Sequence, residues 1–373
     1  KPIVKFERLL STFYEVAPKG LALFIKSIPI WLKDKLFSRK LIFDNLKMIE
    51  PSLKKKDLNL LFTEHHISHA SSSFYPSNLK ESAILTIDGV GEWCTASICK
   101  GEGKKIEIIK ELHFPHSVGL LYSAFTYYLG FRVNSGEYKL MGLAPYGIEK
   151  SEETKLFIQK IKSEIVDIKE DGSIFLNQKY FKYTYGMIMI KESQYSSLFG
   201  FCTRKEEDEI SQTHCNMALA IQKVTEEIII KMVKETKKLT NSKNLCLSGG
   251  VALNCVANGK IEELGLFEKI YIQPASGDAG GSLGSALAIN HMYFDYERNY
   301  SNEYDLMRGS YLGPYFSNKE IIITNKKYKA VYQHFESFEE LSMKVAKLIS
   351  QGYVIGWFQG RSEFGPRALG NRS

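Results

Sequence analysis

Three short apolar runs, each broken off by a glycine-bearing corner, restrict the possible folds of this 373-residue chain more than any other feature. Residues 83–87 run into Asp88-Gly89-Val90-Gly91-Glu92, residues 244–247 into Ser248-Gly249-Gly250, and residues 269–272 lead to Gly277-Asp278-Ala279-Gly280-Gly281. A short apolar run that breaks at glycine reads as a buried strand meeting a tight turn. Helical spacing follows the second and third corners, which makes them strand-turn-helix units. Residues 94–99 and 105–114 add two strands after the first corner, and residues 117–129 an apolar helix. A long helix is expected over 211–239, with Met217, Ile221, Val224, Ile228 and Met232 on one stripe. Strands and helices mixed in this way predict an α/β fold.

The flanks are less regular. Residues 1–60 read as helices, with apolar positions Phe6, Leu9, Leu10 and Phe13 and then a stretch over 23–36. Residues 57–75 read as a helix or helix end carrying His65, His66 and His69. Residues 150–205 are polar and irregular. Residues 338–350 read as a helix and 353–358 as a strand. The change of character places a domain boundary between 315 and 335, giving domains over 1–325 and 326–373.

Composition excludes several classes. Hydrophobic residues at 44% and charged residues at 24% are ordinary for a soluble globular protein. The net charge of +7 is scattered among acidic residues, with no dense arginine-aromatic patch, so nucleic acid is not an expected partner. The most apolar early stretch, residues 20–32, is broken by Lys26 and Pro29 and is too short to span a bilayer. The six cysteines form no CxxC pair, which fits a reduced, cytoplasmic protein.

Four motifs carry chemistry, and each also has a plain structural reading. His65 and His69 are four apart, so a helix puts both rings on one face, where neutral imidazoles can hold a divalent metal; as a bare spacing, it also fits two ordinary histidines. His66 then points elsewhere. Asp88, Gly89 and Gly91 follow a strand; glycines there let backbone N–H groups approach phosphate, although Asp-Gly is also a hairpin signal. Gly249 and Gly250 form an anion- or nucleotide-facing corner with neither P-loop nor dinucleotide spacing, or a plain turn. Asp278 among small residues is a helix cap, or completes a His-His-Asp metal site.

The order of these motifs resembles the actin-like ATPase (ribonuclease H-like) fold, in which an adenine nucleotide lies between two lobes. The segments HHISHASSSFYPS, LTIDGVGEW, NSGEYKLMGLAPYG, LCLSGGVALNCVANGK, QPASGDAGGSLGSAL and GRSEFGPRALGNRS together resemble the O-carbamoyltransferases of nodulation and antibiotic biosynthesis. That resemblance implies a two-lobed actin-like domain followed by the beginning of a YrdC-like α/β domain. It implies that carbamoyl phosphate and ATP form carbamoyl adenylate, and that the carbamoyl group then passes to a hydroxyl of a small acceptor. The cofactor set it implies is ATP and a divalent metal, iron first and magnesium as the alternative.

Carried over by motif, His65, His69 and Asp278 are metal ligands, and His65, His69 and Asp88 form the catalytic set. Asp88, Gly89 and Gly91 face the phosphates or acyl group, Gly249, Gly250 and Asn254 line the adenosine, and Asp278 lies beside it. Glu137 and Lys139 touch ribose or phosphate, or form a loop salt bridge. Glu363, Arg367, Asn371 and Arg372 open the YrdC-like domain, with Arg367 or Arg372 holding an anion or bracing the junction. A histidine is the expected base. By the resemblance, a first strand, a phosphate loop and a further histidine precede Lys1, and most of the YrdC-like domain follows Ser373, so the chain alone is expected to be inactive. The tRNA threonylcarbamoyl-transfer enzyme and a non-catalytic nucleotide-binding module are the competing readings. The acceptor and the oligomeric state stay open.

Overall fold

The computed structural model describes residues 2–31, 37–300 and 304–372. It divides into two compact units, Lys1–Tyr300 and Ser301–Ser373. In chain order the first unit contains α1 (Pro2–Val16), α2 (Leu21–Ile30), α3 (Ser38–Ile49), α4 (His65–Phe74), β1 (Glu81–Ile87), β2 (Cys94–Glu102), β3 (Lys105–His113), α5 (Val118–Tyr128) and α6 (Glu137–Leu143). It continues with α7 (Glu152–Lys160), β4 (Val166–Ile168), β5 (Ile174–Leu176), α8 (Glu192–Phe199), α9 (Gln212–Thr240), β6 (Asn244–Ser248), α10 (Cys255–Glu263), β7 (Lys269–Ile272) and α11 (Asp278–Ala288). The second unit contains α12 (Asn318–Tyr328) and α13 (Phe338–Ser350).

The main sheet has the order β3-β2-β1-β6-β7. β1 to β3 form an antiparallel meander, whereas β6 and β7 join β1 in parallel. β1 is therefore central, and Ser82 through Ile87 are all buried, which explains its unbroken apolar run. Alternate side chains enter different cores. Ala83, Leu85, Ile87, Leu245 and Leu247 join the larger core with α5 and α9, while Ile84 and Cys246 join a smaller one with Ala70 and Phe74 of α4. The expected stripe of α9 lies in the larger core, with Met217, Ile221, Val224, Ile228 and Met232 all 5% exposed or less.

α4 and α11 pack so closely that a Cβ on Gly284 would overlap the Ser68 carbonyl. This contact holds the two histidine-bearing turns against the helix that begins at Asp278.

The chain departs from the sequence reading in two places. Residues 150–205 are not featureless: α7, the β4–β5 hairpin and α8 bury Phe157, Ile161, Ile165, Phe181, Tyr195 and Phe199. Three-residue strands are too short to show a period, and their burial comes from contacts distant in sequence. Residues 353–358 form no strand; Phe358 makes one isolated bridge to Arg372 and Val354 is 97% exposed. A strand needs a neighbour for its backbone groups, and no described strand lies beside this segment. The first unit ends at Tyr300 and the second begins at Ser301. Residues 310–315 are tied to the C-terminal loop through Gly313 N to Ser362 O, Ser362 N to Pro314 O and Phe364 N to Ser310 O. The helices expected over 1–60 are α1 to α3; residues 32–36 of that stretch lie outside the described residues.

Candidate metal and nucleotide site

α4 supplies two of the four converging groups. Its i, i+4 spacing brings the His65 and His69 rings edge to face at 4.6 Å between centroids, with the two Nε2 atoms 3.1 Å apart. The backbone N–H of His65, in the helix's first turn, donates to Glu92 Oε2 at 3.0 Å. Ser248 Oγ donates to the His69 carbonyl at 2.7 Å and so ties α4 to the end of β6.

Asp88 is the third group, at the C-terminal end of β1. Its Oδ2 lies 2.9 Å from His65 Nε2 and 3.4 Å from His69 Nε2. Its Oδ1 accepts from Gly250 N at 3.0 Å. Burial disfavours the carboxylate, but hydrogen bonds from His65, His69 and Gly250 outweigh it and hold Asp88 well below the usual carboxylate range. The fourth group, Asp278 Oδ1, lies 3.5 Å from His65 Nε2 and 3.8 Å from His69 Nε2. All four ligand atoms fall within 4.8 Å of one another.

The two imidazole nitrogens and two carboxylate oxygens suit a divalent cation. A cation at the point of convergence would take one lone pair from each of the four ligand atoms. Two imidazoles favour a first-row transition metal over magnesium, which prefers all-oxygen sites. The Nδ1 of His69 is buried without a partner, so the ring is held by its Nε2 side and by packing. Side-chain exposure is 0% for His69, 12% for Asp88, 20% for His65 and 83% for Asp278, so the cluster opens to solvent on the Asp278 side. His66 points away, as expected, with Nδ1 2.6 Å from Thr86 Oγ1. Burial, reinforced by the neighbouring imidazoles, lowers its pKa to about 3, so it is neutral at ordinary pH.

The glycine corners meet at the same place. Gly249, at φ +90°, passes so close to the end of β1 that a Cβ would overlap the Ile87 carbonyl. Its N–H donates to Ser276 O at 2.9 Å, joining the second corner to the third. Gly89 and the Asp88 carbonyl are held by Ser117 Oγ, which also caps α5 by accepting from Leu120 N. Gly91 O accepts from Arg8 of α1 at 2.8 Å. Asn254 is buried, caps α10 through Ala257 N and pairs with Gln222.

Other expected residues stand apart. Glu137 accepts from Ser123 Oγ and Asn134 N, and Lys139 is exposed; among the described residues no hydrogen bond or ion pair joins either to the histidine cluster. Glu363 accepts from Leu369 N and Asn371 N and pairs with Arg372 at 3.0 Å; Arg372 also donates to the Gly365 and Arg367 carbonyls. These contacts close the 361–372 loop on itself. Sequence reasoning did not place Asp88 among the metal ligands, and it missed Glu92, Ser117 and Ser248. Only Asp88 carried a signal, as a carboxylate at the carboxyl end of a buried strand.

Residues 1–287 match the family described as carbamoyltransferase N-terminus, and residues 346–373 match carbamoyltransferase C-terminus. The chain belongs to the carbamoyltransferase family. Among its relatives, the protein sll1178 of a Synechocystis species is 48% identical over 376 residues, covering 100% of this chain and 60% of the relative. The nodulation protein NolNO of Sinorhizobium fredii is 32% identical over 90% of this chain and 46% of its own length. The 3'-hydroxymethylcephem-O-carbamoyltransferase of Streptomyces clavuligerus is 28% identical over 44% of this chain and 28% of its own. The chain spans about half the length of the curated relatives it matches. Among the described residues, no helix is long and apolar enough to cross a membrane, and all six cysteines are unpaired.

Proposed function

We propose that this chain supplies the acyl-transfer site of an O-carbamoyltransferase, which passes a carbamoyl group from carbamoyl adenylate to a hydroxyl of a small acceptor. Carbamoyl phosphate and ATP are the source of the adenylate. The observation that carries this reading is the convergence of His65, His69, Asp88 and Asp278 beside the Gly249–Gly250 corner in a carbamoyltransferase chain.

His65, His69, Asp88 and Asp278 would hold the metal, iron by preference. When bound, such a cation supplies a Lewis acid beside the donor's phosphate or carbonyl oxygen. Asp88 orients both imidazoles through Oδ2 and takes its own orientation from Gly250 N. Gly89 and Gly91, fixed by Ser117 and Arg8, form the wall that faces phosphate; Gly249, Gly250 and Asn254 form the adenosine side. The acceptor oxygen bonds to the carbamoyl carbon, the bond from that carbon to the phosphate oxygen breaks, AMP leaves, and the hydroxyl proton passes to a base.

The strand order β3-β2-β1-β6-β7, an antiparallel meander extended by two parallel strands, supports an actin-like reading of the first unit. The second unit, whose residues 346–373 match the family's C-terminal region, is taken as part of a YrdC-like domain. The test is AMP release by the full-length protein given ATP, carbamoyl phosphate and a hydroxylated acceptor such as an aminoglycoside or sugar. Release that requires the acceptor is expected, and it should be lost with His65→Ala. Acceptor-dependent AMP release that survives in His65→Ala and His69→Ala would sink the assignment of the site.

A further inference from the structure

The face of α9 turned toward α5 and α10 carries Gln222 and Glu226, one helical turn apart, 2% and 3% exposed. Neither was singled out by motif. The Gln222 amide is saturated. Its Oε1 accepts from Tyr122 Oη at 2.9 Å and from Asn254 Nδ2 at 3.0 Å; its Nε2 donates to Glu226 Oε1 at 2.9 Å and to Asn254 Oδ1 at 3.1 Å. Glu226 Oε2 in turn pairs with Lys260 of α10.

The directions of these bonds are dictated by one backbone group. Ala257 N–H can only donate, and it donates to Asn254 Oδ1 at 3.1 Å. The Asn254 oxygen must therefore face α10, its Nδ2 must donate to Gln222 Oε1, and the Gln222 Nε2 must face Glu226. Asn254 Oδ1 is then filled by two donors, while one of its two Nδ2 hydrogens goes to Gln222. Among the described residues nothing takes the second N–H, and the residue is only 7% exposed. An unmet buried donor is costly unless a ligand or water takes it. It belongs to the residue that ends the 248–254 corner, whose Gly250 N–H holds Asp88.

We infer that Gln222 is a positioning residue for nucleotide affinity: it fixes the Asn254 amide so that the spare N–H is presented to an acceptor atom of the bound adenine nucleotide. Glu226 and Lys260 keep Gln222 itself in place. The inference rests on the nucleotide reading of the corner given above. It explains why a glutamine and a glutamate are buried in the otherwise apolar face of the central helix.

The test is a double-mutant cycle on ADP affinity in the full-length protein, using Gln222→Met, Asn254→Ala and the pair, with melting temperature and bound metal measured in parallel. Gln222→Met is expected to weaken ADP about ten-fold with metal content unchanged. The pair should bind ADP no worse than Asn254→Ala alone, because Gln222 acts only through Asn254. Additive losses would overturn the inference, as would ADP affinity unchanged in Gln222→Met while its melting temperature falls, the mark of a purely structural role. Should Gln222→Met not fold, Gln222→Glu replaces it. A carboxyl shared with Glu226 carries at most one proton and cannot also donate to Asn254 Oδ1, and the same non-additivity is required. Failure of the wild-type protein, or of Asn254→Ala alone, to distinguish itself in ADP binding would overturn the nucleotide reading and the inference with it; a normal Asn254→Ala loss with a silent Gln222 overturns the inference alone.

Discussion

Asp88 Oδ2 lies 2.9 Å from His65 Nε2, although the two residues sit on different elements, one at the end of a central strand and the other at the start of a helix packed beside it. The other oxygen of the same carboxylate is committed to Gly250 N. Asp88 is thus the hinge between the histidine pair and the glycine corner. Asp88→Asn is expected to lower divalent-cation affinity at least about 100-fold. The exposed Asp278→Asn should cost less. Bound metal per chain, measured across a chelator series, checks both; equal losses would contradict the ranking.

His66 sets a limit on stability in acid. Burial, with the nearby imidazoles, takes its pKa in the folded chain to about 3, below its ordinary 6.5. Protonation therefore favours the unfolded chain. The contribution is complete above pH 6.5 and is lost as pH falls from 6.5 toward 3, at about 1.4 kcal/mol per pH unit. His66→Asn keeps a partner for Thr86 Oγ1 and takes up no proton. In chelator-treated protein, urea unfolding at pH 7 and pH 5.5 should show wild type losing about 1.4 kcal/mol more than the variant. Parallel losses would remove His66 as the cause.

Gly284 tests the approach of α11 to α4. A Cβ there meets the Ser68 carbonyl and lies 2.8 Å from Ser72 N, both rigid backbone. Gly284→Ala should cost about 2–3 kcal/mol by overpacking and should shift Asp278 relative to the histidines. Thermal melting and metal content should therefore fall together. A variant that melts like wild type would show that the helices can part at no cost.

Arg298 closes the other end of α4. Its guanidinium donates to the Phe74, Ser77, Leu79 and Gly103 carbonyls at 2.9 to 3.1 Å and lies 4.2 Å from the Phe74 ring centroid. Carbonyls at the end of α4 have no helical partners, and a buried cation satisfies several at once. Arg298→Met removes the guanidinium from all four carbonyls, of which Phe74 O keeps its bond from Ser77 Oγ, and should destabilise the first unit by about 3 kcal/mol. Arg298→Lys, with three donors and no planar fork, should recover only part of this. Denaturant midpoints at fixed slope decide it.

The sequence by itself determined the strand runs, their glycine corners, the long helix and the shared face of His65 and His69. All of these follow from local spacing, because backbone geometry repeats over two or 3.6 residues. The tertiary structure alone decided which corners meet. β6 pairs in parallel with β1 although Ala83 and its partner Leu245 lie 162 positions apart in the chain, and only that pairing brings Gly250 to Asp88. It also added Asp88 to the histidine cluster and absorbed Asn254 into a network with Gln222. It left Glu137 and Lys139 without a bond to the cluster. It built ordered structure from residues 150–205 and left 353–358 irregular. Contacts between residues far apart in sequence depend on sheet order and helix packing, and neither is encoded in the period of any one segment.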